Sequence, residues 1–104
     1  MISDVERVLK KYPDRVPVFI DRAKLKSTIP EIDKKKFLVP CGMNISHLMY
    51  IIRKRIQLKP EQALFIFINN TLPPNSESVE NMYVKHKSKD GFLYINYSTE
   101  NTFG

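Results

Sequence analysis

Lys34-Lys35-Lys36-Phe37-Leu38-Val39-Pro40 passes without a break from three lysines to three large apolar residues and a proline. Side chains alternate between the faces of a strand, so Lys36 and Leu38 point one way while Phe37 and Val39 point the other. Both faces are then apolar and need cover on two sides. Pro40 has no N–H to give to a ladder, which places the segment at the border of a sheet. The stretch predicts an edge strand left open to another chain.

Its partner in the sheet is predicted at 16–22, with Val16, Val18 and Ile20 on one face and Pro17 and Phe19 on the other. The connection from Ala23 to Asp33 is polar, lysine-rich and interrupted by Pro30, and reads as a loop. Upstream, Ser3 and Glu6 stand at capping-box spacing. Val5, Val8, Leu9 and Tyr12 then recur at helical spacing until Pro13, and Arg7, Lys10 and Lys11 make the outer face basic. Downstream, Ile45, Leu48, Met49, Ile52 and Ile56 form an apolar stripe that predicts the main core helix over about 44–58. Leu64 to Ile68 is continuously apolar, as in a strand buried on both faces. After Asn69-Asn70, a very short strand at Thr71-Leu72 is expected before Pro73-Pro74. A short amphipathic helix over 78–87 carries Val79, Met82 and Tyr83, and Asp90-Gly91 turns the chain into a last strand at 92–97. The expected whole is one α+β domain over 1–104, with a helix at 1–12 and a flexible tail at 98–104.

Formal charge is +6, from 17 Lys+Arg against 11 Asp+Glu, and it is one-sided. Residues 1–59 hold 14 of the bases and 6 of the acids, while 60–104 hold 3 and 5. That asymmetry points to an acidic partner approaching the N-terminal half: nucleic acid, anionic lipid or an acidic peptide. A single cysteine, Cys41, excludes an internal disulfide and a four-cysteine zinc site, and suits a cytosolic protein. Cys41 and His47 lie close in sequence but no triad surrounds them, and His47 and His86 have no metal-ligand spacing with cysteine. Neither enzymatic chemistry nor a metal or other cofactor is expected. The longest apolar run, Ala63 to Ile68, is far too short to span a membrane.

Lys10-Lys11-Tyr12-Pro13-Asp14-Arg15-Val16-Pro17-Val18, the segment Asp33 to Pro40, Ile52-Arg53-Lys54-Arg55-Ile56, Asn69-Asn70, Phe92-Leu93-Tyr94-Ile95 and the terminal Phe103-Gly104 together resemble the autophagy ubiquitin-like modifier family, GABARAP-like and lipid-conjugated. The resemblance covers essentially the whole chain. It implies a ubiquitin-like β-grasp with an N-terminal helical extension, in agreement with the element order above. It also implies that Gly104 is activated, passed along activating and conjugating enzymes, and joined to phosphatidylethanolamine. The protein would then mark the autophagosomal membrane while remaining cytoplasmic before conjugation. Glycine suits the task because a residue without Cβ can enter a narrow enzyme channel. The lipid's two acyl chains, at ~0.8 kcal/mol per buried CH₂, give durable anchoring where one is marginal.

For the body of the domain, the resemblance implies recruitment of receptors that carry an aromatic-x-x-aliphatic motif. Carried over position by position, Asp4, Val8, Pro17, Phe19, Lys36, Leu38 and Phe92 are expected to line the pocket for the aromatic residue. Phe37, Val39, Pro40, Met43, Leu48 and Ile51 are expected around the aliphatic one, and Arg15, Lys34, Lys36 and Arg55 to meet acidic residues beside the motif. A processing cysteine protease is a further implied partner, and a monomer is expected. Measured against the family pattern, a short helix ahead of Ser3 is missing, the loop at 26–31 is slightly longer, Cys41-Gly42 replace more polar residues, and nothing follows Gly104. Two other readings stay open on the residues alone. One is a β-grasp interaction module that is never lipidated. The other is a basic nucleic-acid-binding domain, against which stands the lack of glycine-aromatic RNA signatures.

Overall fold

The fold was obtained as a computed structural model, which describes residues 4–23 and 29–99. Helix α1 (Asp4–Lys11) leads into strands β1 (Arg15–Arg22) and β2 (Lys36–Pro40); α2 (Ile45–Arg55), β3 (Phe65–Phe67), α3 (Val79–His86) and β4 (Leu93–Ser98) follow. The four strands form one mixed sheet in the order β2-β1-β4-β3. β1 runs antiparallel to β2 and parallel to β4, and β3 is antiparallel to β4. This is the expected α+β, ubiquitin-like arrangement.

One sheet face holds the main core. Val16, Val18 and Ile20 of β1 and Leu93, Ile95 and Tyr97 of β4 alternate inward against Ile45, Leu48 and Ile52 of α2. Burying each such aliphatic side chain contributes roughly 1.5–3 kcal/mol before ordering costs. The opposite face carries Pro17, Phe19, Phe92 and Tyr94, and α1 packs near this face with Val5 as its buried residue. Tyr12, predicted in α1's apolar stripe, is instead 42% exposed, with the Lys11 ammonium 5.5 Å from its ring centre. Tyr12 stands one residue past the end of α1 at Lys11.

Local chemistry sets the element ends. Asn44 caps α2, its Oδ1 accepting from the His47 amide at 2.8 Å. The helix stops at Arg55, three residues short of the predicted end. Gln57 adopts φ +54°, and the Leu58 and Gln57 amides donate back to the carbonyls of Arg53 and Lys54, the pattern of a Schellman cap. Asn69 and Asn70 both have positive φ, 53° and 60°, and make a two-residue turn in which Ile68 and Thr71 exchange backbone bonds. The predicted strand at Thr71-Leu72 shrinks to that single bridge, because Pro73-Pro74 follows and proline cannot extend a ladder.

Two further corrections concern segments read as polar connections. Ile29 and Ile32 of the β1–β2 loop are buried in the core, and the Tyr97 hydroxyl donates to the Pro30 carbonyl at 2.8 Å. Ser98, given to the tail by the sequence reading, is the buried last residue of β4. The capping residue Ser3, residues 24–28 of the lysine-rich loop, and residues 100–104 with Gly104 lie outside the described residues.

Candidate functional site

The site begins with which backbone groups β2 leaves free. Beyond its two ends, the Ile20 amide donates to the Lys35 carbonyl at 2.8 Å and the Cys41 amide to the Asp14 carbonyl at 3.1 Å. Hydrogen-bonded pairs alternate along an antiparallel ladder, so Val16–Val39 and Val18–Phe37 are the bonded pairs between them. Lys36, Leu38 and Pro40 therefore turn their backbone groups away from β1. Pro40 has no N–H, and its carbonyl accepts from the Met43 amide at 3.1 Å. What the edge offers is the N–H and C=O of Lys36 and of Leu38, a length suited to one short extended peptide.

Hollows flank this edge on both faces of the sheet. On the α1 side a cavity of about 540 Å³ is lined by Asp4, Val5, Val8, Pro17, Lys34, Lys36, Phe37, Leu38 and Phe92. On the α2 side a hollow of about 260 Å³ is lined by Ile20, Ile32, Phe37, Leu38, Val39, Pro40, Met43, Leu48, Ile51, Ile52 and Arg55. Phe37 and Leu38 belong to both walls, and Leu38 is 36% exposed, high for a leucine within a sheet. An open apolar ridge between two apolar hollows is a surface that a partner would cover.

Of the residues expected around the aromatic pocket, Asp4, Val8, Pro17, Lys36, Leu38 and Phe92 are brought together around the larger cavity. Phe19 is not among them. It is half-buried and packs on the rings of Tyr94, 5.1 Å away, and Phe92, 6.4 Å away and nearly perpendicular, so it supports Phe92 from behind. Val5 does line the cavity, and sequence reasoning missed it although it shares the helical stripe with Val8. Phe37, Val39, Pro40, Met43, Leu48 and Ile51 all line the smaller hollow, together with Ile20, Ile32 and Ile52, which were read as core or loop.

The cations divide by strand geometry. Lys34 and Lys36 reach the larger cavity, with Lys34 Nζ 5.2 Å from the Phe37 ring centre and Lys36 Nζ 5.7 Å from that of Phe92. Lys35 points elsewhere. Its ammonium pairs with Glu31 at 3.0 Å and Asp21 at 3.4 Å, and the Glu31 contact foremost holds its pKa above the ordinary lysine value. Arg55 lies over the other side of the ridge, 4.9 Å from the Phe37 ring centre, and is paired with Asp33 at 3.2 Å. An incoming acid must compete with that aspartate. Arg15 lines neither hollow; it sits opposite Pro40 in the register.

Cys41 is half-buried beside this surface. Burial pushes its thiol pKa up, and the negative charges of Glu80 and Asp14 push it further, the opposite of what a reactive thiolate requires. Among the described residues no group of three or more His, Cys, Asp or Glu side chains could hold a metal ion, and no helix is long and apolar enough to cross a membrane.

Against known proteins, the family described as "Autophagy protein Atg8 ubiquitin like" matches residues 1–104. Autophagy-related protein 8d of Arabidopsis thaliana is 50% identical over 102 residues, covering 98% of this chain and 84% of the relative. Autophagy-related protein 8 of Candida glabrata is 51% identical, covering 98% and 86%. Among solved structures, the crystal structure of Trypanosoma brucei ATG8 superposes with a TM-score of 0.87 at 42% identity, over 97% of this chain and 86% of that one.

Proposed function

Since the chain belongs to the Atg8 family of autophagy ubiquitin-like proteins, we propose that it is a modifier joined through Gly104 to phosphatidylethanolamine, and that its β2 edge recruits receptors carrying an aromatic-x-x-aliphatic motif. Activating and conjugating enzymes of the ubiquitin-like pathway would deliver it, and a cysteine protease would process it where residues follow the glycine. The protein acts from the cytoplasm and, once conjugated, at the autophagosomal membrane.

One observation carries the receptor half of this reading: the two hollows lie on opposite faces of the sheet and share β2 as their border. A peptide added as a strand beside β2 bonds its backbone to Lys36 and Leu38 and alternates its side chains between the faces. Residues an odd number of places apart then point to opposite faces. A spacing of three, about 10 Å of extended chain, sends the first anchor under α1 and the second toward α2. The larger hollow suits an aromatic ring and the smaller one an aliphatic side chain. Each buried anchor contributes about 1.5–3 kcal/mol before ordering costs, consistent with micromolar affinity.

Calorimetric titration with a Trp-x-x-Leu peptide tests the groove. Leu38→Asp is expected to weaken binding tenfold or more, because it sets an unpaired charge on the apolar ridge; unchanged affinity would refute the placement. For the conjugation half, the protein is incubated with activating and conjugating enzymes, ATP and phosphatidylethanolamine liposomes, and its C-terminus is read by mass spectrometry. Gly104→Ala is expected to abolish lipid attachment while peptide affinity stays as it was. A lipidated alanine variant would count against the role given to Gly104.

A further inference from the structure

We propose that Gly91, which lines neither hollow, is a positioning residue that sets which aromatic ring the cavity beneath α1 accepts. The inference rests on reading that cavity as the pocket for an aromatic anchor. Gly91 has φ +90° and is packed under α1: a Cβ built on it would lie 2.6 Å from Cγ1 of Val5 and 3.1 Å from its Cβ. Val5 is both the buried residue of α1 and a wall of the cavity, and Phe92, next to Gly91 in the chain, lines the same cavity. The width of the cavity is therefore set where Val5 rests on Gly91.

The two sides of that contact differ in what they can yield. The turn beneath is held fast. The Gly91 amide donates to the Ser88 carbonyl at 2.9 Å and the Ser88 amide to the Phe92 carbonyl at 2.8 Å. The Tyr83 hydroxyl donates to the Gly91 carbonyl at 2.7 Å, and Asp90 accepts from the Phe92 amide and the Tyr94 hydroxyl. Helix α1 is eight residues long and buries little besides Val5. A side chain at position 91 would therefore lift the helix rather than depress the turn. Restoring van der Waals distance from 2.6 Å takes a movement of about 1 Å, and a gap of that size forfeits a quarter to a half of the dispersion contact across it. A phenyl ring loses its grip in the widened cavity, while an indole still spans it.

The test compares two peptides identical except for Trp or Phe at the aromatic position, titrated against the full chain. Gly91→Ala is expected to weaken the Phe peptide about fivefold or more and the Trp peptide by no more than about twofold, the loss of contact falling on the smaller ring. Alanine at φ +90° also strains the turn, so the comparison is repeated in a Val5→Ala background. The strain persists there, but the 2.6 Å collision with Cγ1 is gone and only the 3.1 Å approach to the residue-5 Cβ remains, so Gly91→Ala is expected to move the Trp-to-Phe ratio far less there than in the unaltered background. Should circular dichroism show Gly91→Ala unfolded, Val5→Ile, which crowds the same contact from the helix side, must shift the ratio toward Trp. A ratio unmoved in the folded variant, or moved equally in both backgrounds, overturns the proposal. If the unaltered protein binds neither peptide, the reading of the cavity fails and this inference falls with it; binding with a fixed ratio sinks the inference alone.

Discussion

Asp90 shows how much a single exposed side chain can do for the site. Its carboxylate accepts from the Tyr94 hydroxyl and the Phe92 amide, and these bonds, the Tyr94 one foremost, hold its pKa below the ordinary 3.8. The same bond raises the pKa of Tyr94 above the ordinary phenol value. A carboxylate depressed in the folded state stabilises the fold above its unfolded pKa, and that stabilisation fades as pH falls through the folded value. Asp90→Asn should therefore lower the thermal midpoint at pH 6, and the gap to the unaltered protein should narrow as pH falls through the acid range below the ordinary aspartate value. A gap that stays constant down that range would mean the ionised form matters little. Nothing in the sequence marks this pairing beyond a four-residue spacing, since whether a tyrosine folds back on a turn depends on how the strand leaves it. The family resemblance named Lys34 and Lys36 and passed over Lys35, but the ion pairs that occupy Lys35 and Arg55 arise from chain segments brought together only by folding.

Helix α2 was legible in its apolar period because that stripe is the physical requirement for covering the sheet. Its end was not. The positive φ of Gln57 that closes the cap occurs at a residue with no special preference for it, so no local signal announced the stop. The start carries a clearer mark in Asn44, and Asn44→Ala should cost about 1 kcal/mol through the loss of one capped amide. For a domain of this size that corresponds to a fall of roughly 4–8 °C in the melting midpoint. A calorimetric scan showing no change would mean that the bridge from Asn44 to Ser78 holds the helix start unaided. The edge strand was readable from its two-sided apolar pattern and Pro40. Phe19 was misplaced because its face of the sheet was correctly inferred, while its depth behind Phe92 depends on ring packing that alternation does not encode. Ile29 and Ile32 went unrecognised as core because two isoleucines inside a polar loop show no period.

Across the whole molecule, the basic half and the binding edge coincide. Residues 1–59 carry 14 Lys+Arg against 6 Asp+Glu, and β2 with both of its hollows draws most of its lining from that half. The larger cavity is apolar within and has Lys34 and Lys36 in its wall, so charge should govern how fast a peptide arrives more than how long it stays. The screening length shrinks from about 30 Å at 0.01 M salt to about 3 Å at 1 M. For a peptide with acidic residues beside its aromatic anchor, stopped-flow association should slow about tenfold between 0.01 M and 0.5 M salt, with dissociation changing much less. The double variant Lys34→Ala/Lys36→Ala should flatten that dependence and leave dissociation of a neutral-flanked peptide nearly unaltered. Arg55 contributes less to the slope because Asp33 already offsets it. If the neutral-flanked and acidic-flanked peptides show equal salt slopes on the unaltered protein, the field of the N-terminal half steers neither, and the contacts expected of Lys34 and Lys36 must be given up.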